Sequence, residues 1–153
     1  MSEQEFELEP RLESQTAPEL EPGEKLIESF SGNTSTYVKE HVMLAALGAV
    51  VISGGLMAMG NPHPWTGVIG SVAAIAVRGL YVAKEQLGFT WHLTNRRLIG
   101  PGGRTVLMTS IDKVNVIFTA AQIVTLSGDK YMLKYQADAK ATQAAIDRAR
   151  GAA

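Results

Sequence analysis

The runs Val42 to Gly60 (VMLAALGAVVISGGLMAMG) and Trp65 to Ala83 (WTGVIGSVAAIAVRGLYVA) contain a single full charge between them, Arg78. As a helix rising about 1.5 Å per residue each would be roughly 28 Å long, close to the depth of a hydrocarbon core about 30 Å thick. Between them Asn61-Pro62-His63-Pro64 sets two prolines where a helix must stop, which leaves room only for a tight reversal. The expected unit is a transmembrane helical hairpin, with helices over 41–60 and 65–83 and an external turn over 61–64. A secretory signal would carry its apolar region near the N-terminus behind positive charge, whereas mainly acidic residues come first here. A buried helical pair in a soluble protein is the stronger competitor, because Ala and Gly outnumber Leu and Ile. The lack of a polar face on either run favours the bilayer. Arg78 stands close enough to the end of its run for the long stem to lift the guanidinium to the headgroups, avoiding a mid-membrane cost of roughly 2.5 to 3.5 kcal/mol.

Outward from the hairpin, charge divides the chain into three. Across all 153 residues the net charge is -1 and the mean hydropathy is near zero, the averages of an ordinary soluble domain. Up to Glu40, however, Glu3, Glu5, Glu7, Glu9, Glu13, Glu19, Glu21, Glu24, Glu28 and Glu40 are opposed only by Arg11, Lys25 and Lys39. From Lys84 onward ten Lys or Arg face five Asp or Glu. The segment 1–23 mixes Glu with prolines, has little to bury, and is expected to be a disordered acidic tail. Cysteine is absent, which excludes disulfides, thiolate metal sites and a cysteine nucleophile.

Lys39 before the first helix and Arg78, Lys84, Arg96 and Arg97 along and after the second place both ends in the cytoplasm by the positive-inside rule. Trp65 and Tyr81 stand near opposite ends of the second run, as interfacial rings do. Small residues spaced by four, Gly54 with Ala58, Gly67 with Ser71 and Gly70 with Ala74, would permit close helix approach.

Beyond the hairpin the period becomes two. Strands are expected over 88–93, 97–100, 105–109, 111–118, 122–126 and 131–135, with a bulge at Asp112-Lys113 and turns at Thr94-Asn95-Arg96, Pro101-Gly102-Gly103 and 127–130. Within 24–40, the stretch Lys25 to Phe30 would add a seventh strand. A closing helix starts at an Asp138 N-cap, shows an apolar stripe of Ala141, Ala144, Ala145, Ile146 and Ala149, carries Arg148 and Arg150 in its last turn, and stops at Gly151. The segment 84–153 is thus an α+β domain.

FTWHLTNRRLI, Phe89 to Ile99, followed by a glycine turn and Thr109-Ser110-Ile111-Asp112-Lys113-Val114, resembles the bacterial PH-like domains of small membrane proteins, with their Y-x-L-T-x-x-R-L-I, glycine turn and I-x-x-V pattern. Pro22-Gly23-Glu24 is similar to the P-G-E segment which that family sets before its helical hairpin. The likeness covers roughly 22–150 and departs at Trp91, one place from the expected aromatic, and at Thr109-Ser110, where Pro-Leu is usual. It implies a PH-like antiparallel barrel or sandwich closed by a helix, a non-enzymatic binding scaffold at the bacterial plasma (inner) membrane.

Catalytic chemistry finds no foothold in the pattern. His41, His63 and His92 are far apart, Pro101-Gly102-Gly103 lacks the lysine and helix of a phosphate loop, and Asn33-Thr34-Ser35 is a sequon on an arm expected in the cytoplasm. No enzyme activity, cofactor, metal or nucleic-acid partner is expected. Two roles remain: a membrane-anchored module in which Lys84, Arg96, Arg97 and Arg104 meet anionic lipid headgroups or a protein partner, and an accessory or assembly subunit of a larger membrane complex.

Overall fold

The computed structural model describes residues 17–153, so the acidic tail expected over 1–23 lies outside the described residues as far as position 16. A first strand, β1 (Leu26–Ser31), leads into helices α1 (Thr34–Ala58) and α2 (Thr66–Gly88). Six strands follow: β2 (Thr90–Thr94), β3 (Arg97–Ile99), β4 (Thr105–Leu107), β5 (Ile111–Ile117), β6 (Ala120–Thr125) and β7 (Lys130–Leu133). Helix α3 (Ala139–Gly151) closes the domain.

Asn33 starts α1. Its Oδ1 accepts from the Thr36 backbone N–H at 3.0 Å, and its own N–H donates to the Tyr135 carbonyl at 2.7 Å, so the residue of the formal sequon is an N-cap that also ties the helix to the β domain. Both helices are longer than the apolar runs at the end nearest the domain. They are long and apolar enough to cross a membrane, and their apolar windows are barely covered: none of α1's is buried and 17% of α2's. A core helix of a soluble protein would be mostly covered, so this exposure counts against the buried-pair alternative.

The strands form two antiparallel sheets, β1-β2-β3-β4 and β5-β6-β7. They do not join into a closed barrel, so the α+β reading holds and the barrel form of it does not. β1 lies beside β2 with Phe30 opposite Trp91, although the whole helical hairpin separates them in sequence. In β5 the register slips between Ile111 and Lys113, where the polar pair Asp112-Lys113 interrupts the alternation. Phe30, Trp91, Leu93, Leu98, Met108, Ile123, Leu133 and Ile146 fill one core between the sheets and α3.

The stripe expected on α3 is corrected. Ala141 and Ala144 are exposed, and the buried face is Ala139, Thr142, Ala145, Ile146 and Ala149. Thr142 tolerates burial because its hydroxyl donates to Gln136 Oε1 at 3.1 Å. Asp138 caps the helix as expected, accepting from the Ala141 N–H at 3.0 Å.

Gly100 is where the core admits no side chain. A Cβ there would stand 2.5 Å from Trp91 Cζ3, so Gly100→Ala must displace the indole and is expected to cost about 1 to 3 kcal/mol, the usual range for overpacking. Thermal melting of the full chain in detergent checks this, and an unchanged midpoint contradicts it.

Candidate functional site

The strands of the second sheet differ in their cover. Helix α3 packs on β5 and β6, whereas β7 is an edge strand of the same sheet. Along β7 a cleft of about 450 Å³ opens, lined by Phe30, Trp91, Tyr131 and Leu133 below and by Arg104, Lys130 and Lys134 above. That volume is within the range of small-molecule sites, roughly 300 to 1,000 Å³.

Strand geometry explains the layout. Alternate residues point to opposite faces, so Tyr131 and Leu133 turn to the core while Lys130, Met132 and Lys134 turn outward, and the burial pattern follows this alternation. The Trp91 and Tyr131 rings meet edge-on with centroids 6.1 Å apart, giving the floor a rigid aromatic surface. Gln136, buried at one end, is held by its Nε2 donating to the Lys134 carbonyl at 3.1 Å and by the Thr142 hydroxyl. Among the described residues no carboxylate lines the cleft, and Arg104, Lys130 and Lys134 form no ion pair. The result is an apolar, aromatic floor under three uncompensated cations, suited to an anionic group joined to a hydrophobic body. Gln86, near the end of α2, lines the same cleft and sets it beside the helical hairpin.

Of the four cations expected to act together, only Arg104 is in this cleft. Lys84 is exposed on α2. Arg96 and Arg97 face the chain's own glutamates. Arg97 Nε and Nη2 donate to Glu24 Oε1 and Oε2 at 2.9 and 3.0 Å, a two-pronged pairing, and Arg96 lies 3.6 Å from Glu21. The Glu24 side chain is fully buried and also accepts from the Thr94 hydroxyl at 2.7 Å. The Arg97 guanidinium overcomes the opposing effect of burial and, with the Glu21 N–H and the Thr94 hydroxyl, holds the Glu24 carboxyl down to about 2. Glu24 in turn pushes the Arg97 pKa up. Arg97 is therefore a structural clamp that fastens Pro22-Gly23-Glu24 to the β2–β3 turn, with its Nε and Nη2 taken up by Glu24.

Lys130 and Lys134 were absent from the expected set. Their signal was present in the sequence, since two lysines four apart on a strand share a face, but only the fold shows that Arg104 joins them.

Within the helical pair, Gly67 and Ser71 are buried at the contact, and the Ser71 hydroxyl donates to the Ala45 carbonyl at 3.0 Å. Gly54, Ala58, Gly70 and Ala74 are exposed and lie on outer faces, so they take no part in this contact. A Cβ at Gly67 would stand 2.8 Å from the Ser53 backbone nitrogen. Gly67→Val is thus expected to separate the helices and lower the melting midpoint in detergent, while Gly54→Val, with nothing within 4 Å, leaves it unchanged. Equal effects of the two would refute this packing.

Gly79 adjoins His41, and its carbonyl accepts from the Tyr37 hydroxyl at 2.7 Å. Arg78 is therefore level with the start of α1's apolar run, at the edge nearest the β domain. The three histidines stay apart: His41 is against Tyr37, His63 in the interhelical turn, and His92 on β2, where Ser29 Oγ lies 2.8 Å from its Nδ1 and burial lowers its pKa.

No protein-family model, curated protein or solved structure matches the chain.

Proposed function

We propose that this protein is a membrane-anchored, non-enzymatic binding module of the bacterial PH-like kind, and that the β7 cleft takes the anionic headgroup of a lipid at the cytoplasmic surface of the plasma membrane. The observation that carries the reading is the cleft itself: Arg104, Lys130 and Lys134 with Phe30, Trp91 and Tyr131, and no acid in the lining among the described residues. The bare apolar helices beside it supply the anchor. Pairing of β1 with β2 holds the two ends of the hairpin together, so a bilayer crossed by both helices leaves those ends on one side. Lys and Arg occur at those ends and not in the interhelical turn, which supports a cytoplasmic side for them.

Lysines on an edge strand also discourage strand-to-strand aggregation. That role requires neither the aromatic floor nor Arg104, and both are present.

The test uses the full chain, because β1 supplies Phe30 to the core and a fragment beginning after α2 would lack it. In Trp65→Phe the only tryptophan left is Trp91, on the cleft floor. Dihexanoyl phosphatidylglycerol, titrated into this protein in neutral detergent, is expected to change Trp91 emission saturably, and dihexanoyl phosphatidylcholine is not. Identical responses to the two lipids sink the headgroup reading.

A second reading, an accessory subunit of a larger membrane complex, draws on the outward small-residue faces of Gly54 with Ala58 and Gly70 with Ala74, which the hairpin leaves uncovered. Purification in mild detergent tests it, and migration without a stoichiometric protein partner refutes it.

A further inference from the structure

We infer that Phe118, at the β5–β6 turn, is a wedge that enters the hydrocarbon beside α1 and fixes the β domain against the membrane surface.

Three observations converge on this residue. First, the residue is 88% exposed, with Ile117 beside it also exposed, so it contributes nothing to the core. Second, Phe118 and Thr119 form a two-residue turn between the paired Ile117 and Ala120, and Phe118 has φ +52. Glycine, asparagine and aspartate are the usual residues of such turns, and a bulky side chain with positive φ is conformationally costly. A residue that is exposed, apolar and locally disfavoured gains nothing in water, which directs attention to another medium.

Third, the turn is fixed beside the apolar helix. Thr119 Oγ1 donates to Glu40, immediately before the apolar run, and the Thr119 carbonyl accepts from the Gln136 N–H at 2.8 Å. Phe118 lines a cleft of about 430 Å³ with Met43, Leu44 and Leu47 of α1, while Arg78, Lys134 and Glu40 line the same cleft. Met43 to Leu47 lie inside the apolar run, so an α1 that crosses a bilayer carries them into its outer hydrocarbon layer, and Phe118 goes with them. The charged groups stand at the headgroup level. The occupant of the space around Phe118 is thus lipid: acyl chain against Phe118, Met43, Leu44 and Leu47, with phosphate beside Arg78 and Lys134.

This inference rests on the membrane-anchored reading but not on the ligand of the β7 cleft, and its test separates the three. The chain has no cysteine, so single-cysteine variants can be labelled cleanly. Phe118→Cys, Val50→Cys in mid-α1 and Ser127→Cys in the β6–β7 turn, at the opposite end of β6, are each labelled with the fluorophore NBD. The labelled full chains are reconstituted into phosphatidylcholine/phosphatidylglycerol vesicles. Dithionite is expected to reduce the accessible Ser127 probe fast and the Phe118 probe several-fold more slowly. Lipids spin-labelled near the headgroup should quench the Phe118 probe more than lipids labelled at the chain end, with the reverse at Val50. A Phe118 probe reduced as fast as that at Ser127, while the Val50 probe is protected, overturns the wedge and leaves the anchor standing. A Val50 probe that is also unprotected overturns both. Unchanged titration of Trp91 by dihexanoyl phosphatidylglycerol in Phe118→Ser shows that the β7 cleft does not depend on the wedge.

Discussion

Replacing Arg104, Lys130 and Lys134 together by Gln is expected to weaken binding of dihexanoyl phosphatidylglycerol about 100-fold, with each cation near an anionic surface contributing about 1 kcal/mol and every 1.4 kcal/mol amounting to a factor of ten. The three side chains are exposed and unpaired among the described residues, so their removal leaves no buried charge behind. The melting midpoint should therefore hold while the affinity falls. Replacing Arg96 and Lys84 by Gln removes two charges from elsewhere on the protein and should leave the affinity nearly unchanged. A large loss from that control pair, or none from the triple variant, would show that general positive charge, rather than the cleft, draws the lipid. The effect should also shrink as salt is raised, because exposed charges are screened over about 10 Å at 0.1 M.

The second large effect concerns stability. Arg97→Met leaves the Glu24 carboxylate buried with its main partner gone, and uncompensated buried charge ranks among the costlier defects a fold can carry. We expect the melting midpoint to fall by about 10 °C, with the turn around Glu21 to Glu24 released from β2 and β3. Glu24→Gln should be milder, since the amide keeps the shape and one acceptor. The pH dependence has a definite sign. The carboxyl titrates at about 2 in the folded protein against an ordinary 4.5, so its contribution is complete above pH 4.5 and is lost as the pH falls from there toward 2. The difference in melting midpoint between the wild type and Glu24→Gln should be flat near neutrality and narrow across that acidic window. A difference that grows on acidification would reverse the assignment.

The arrangement of strands was legible where local chemistry is decisive. Alternating apolar residues, the glycine turn at Pro101 to Gly103 and the polar interruption at Asp112-Lys113 each act within a few residues, and each has a counterpart in the structure. The α3 stripe was misjudged because alanine is nearly indifferent to burial, so Ala141 and Ala144 carry little directional information, and Thr142 is buried only because Gln136 supplies a partner. Pairings across the hairpin were illegible for a different reason. Glu24 meets Arg97 and Phe30 meets Trp91 over long separations, and one sequence holds no record of which distant residues are neighbours. That is why Arg97 had the profile of a lipid-facing cation. The β7 cleft was half visible: Arg104 stood out by charge, but Lys130 and Lys134 gain significance only from the floor that the other sheet builds under them.

The β1–β2 pairing has a consequence for biogenesis. One partner is synthesised before the hairpin and the other after it, so β1 must wait without its neighbour while α1 and α2 are made. On the proposed membrane-anchored reading, a nascent chain in which only one helix had inserted would strand the two partners on opposite sides of the bilayer, with Phe30 and Trp91 each left wet. Closure of the sheet would then act as a parity check on insertion, since only an even number of crossings would bring β1 and β2 to the same side.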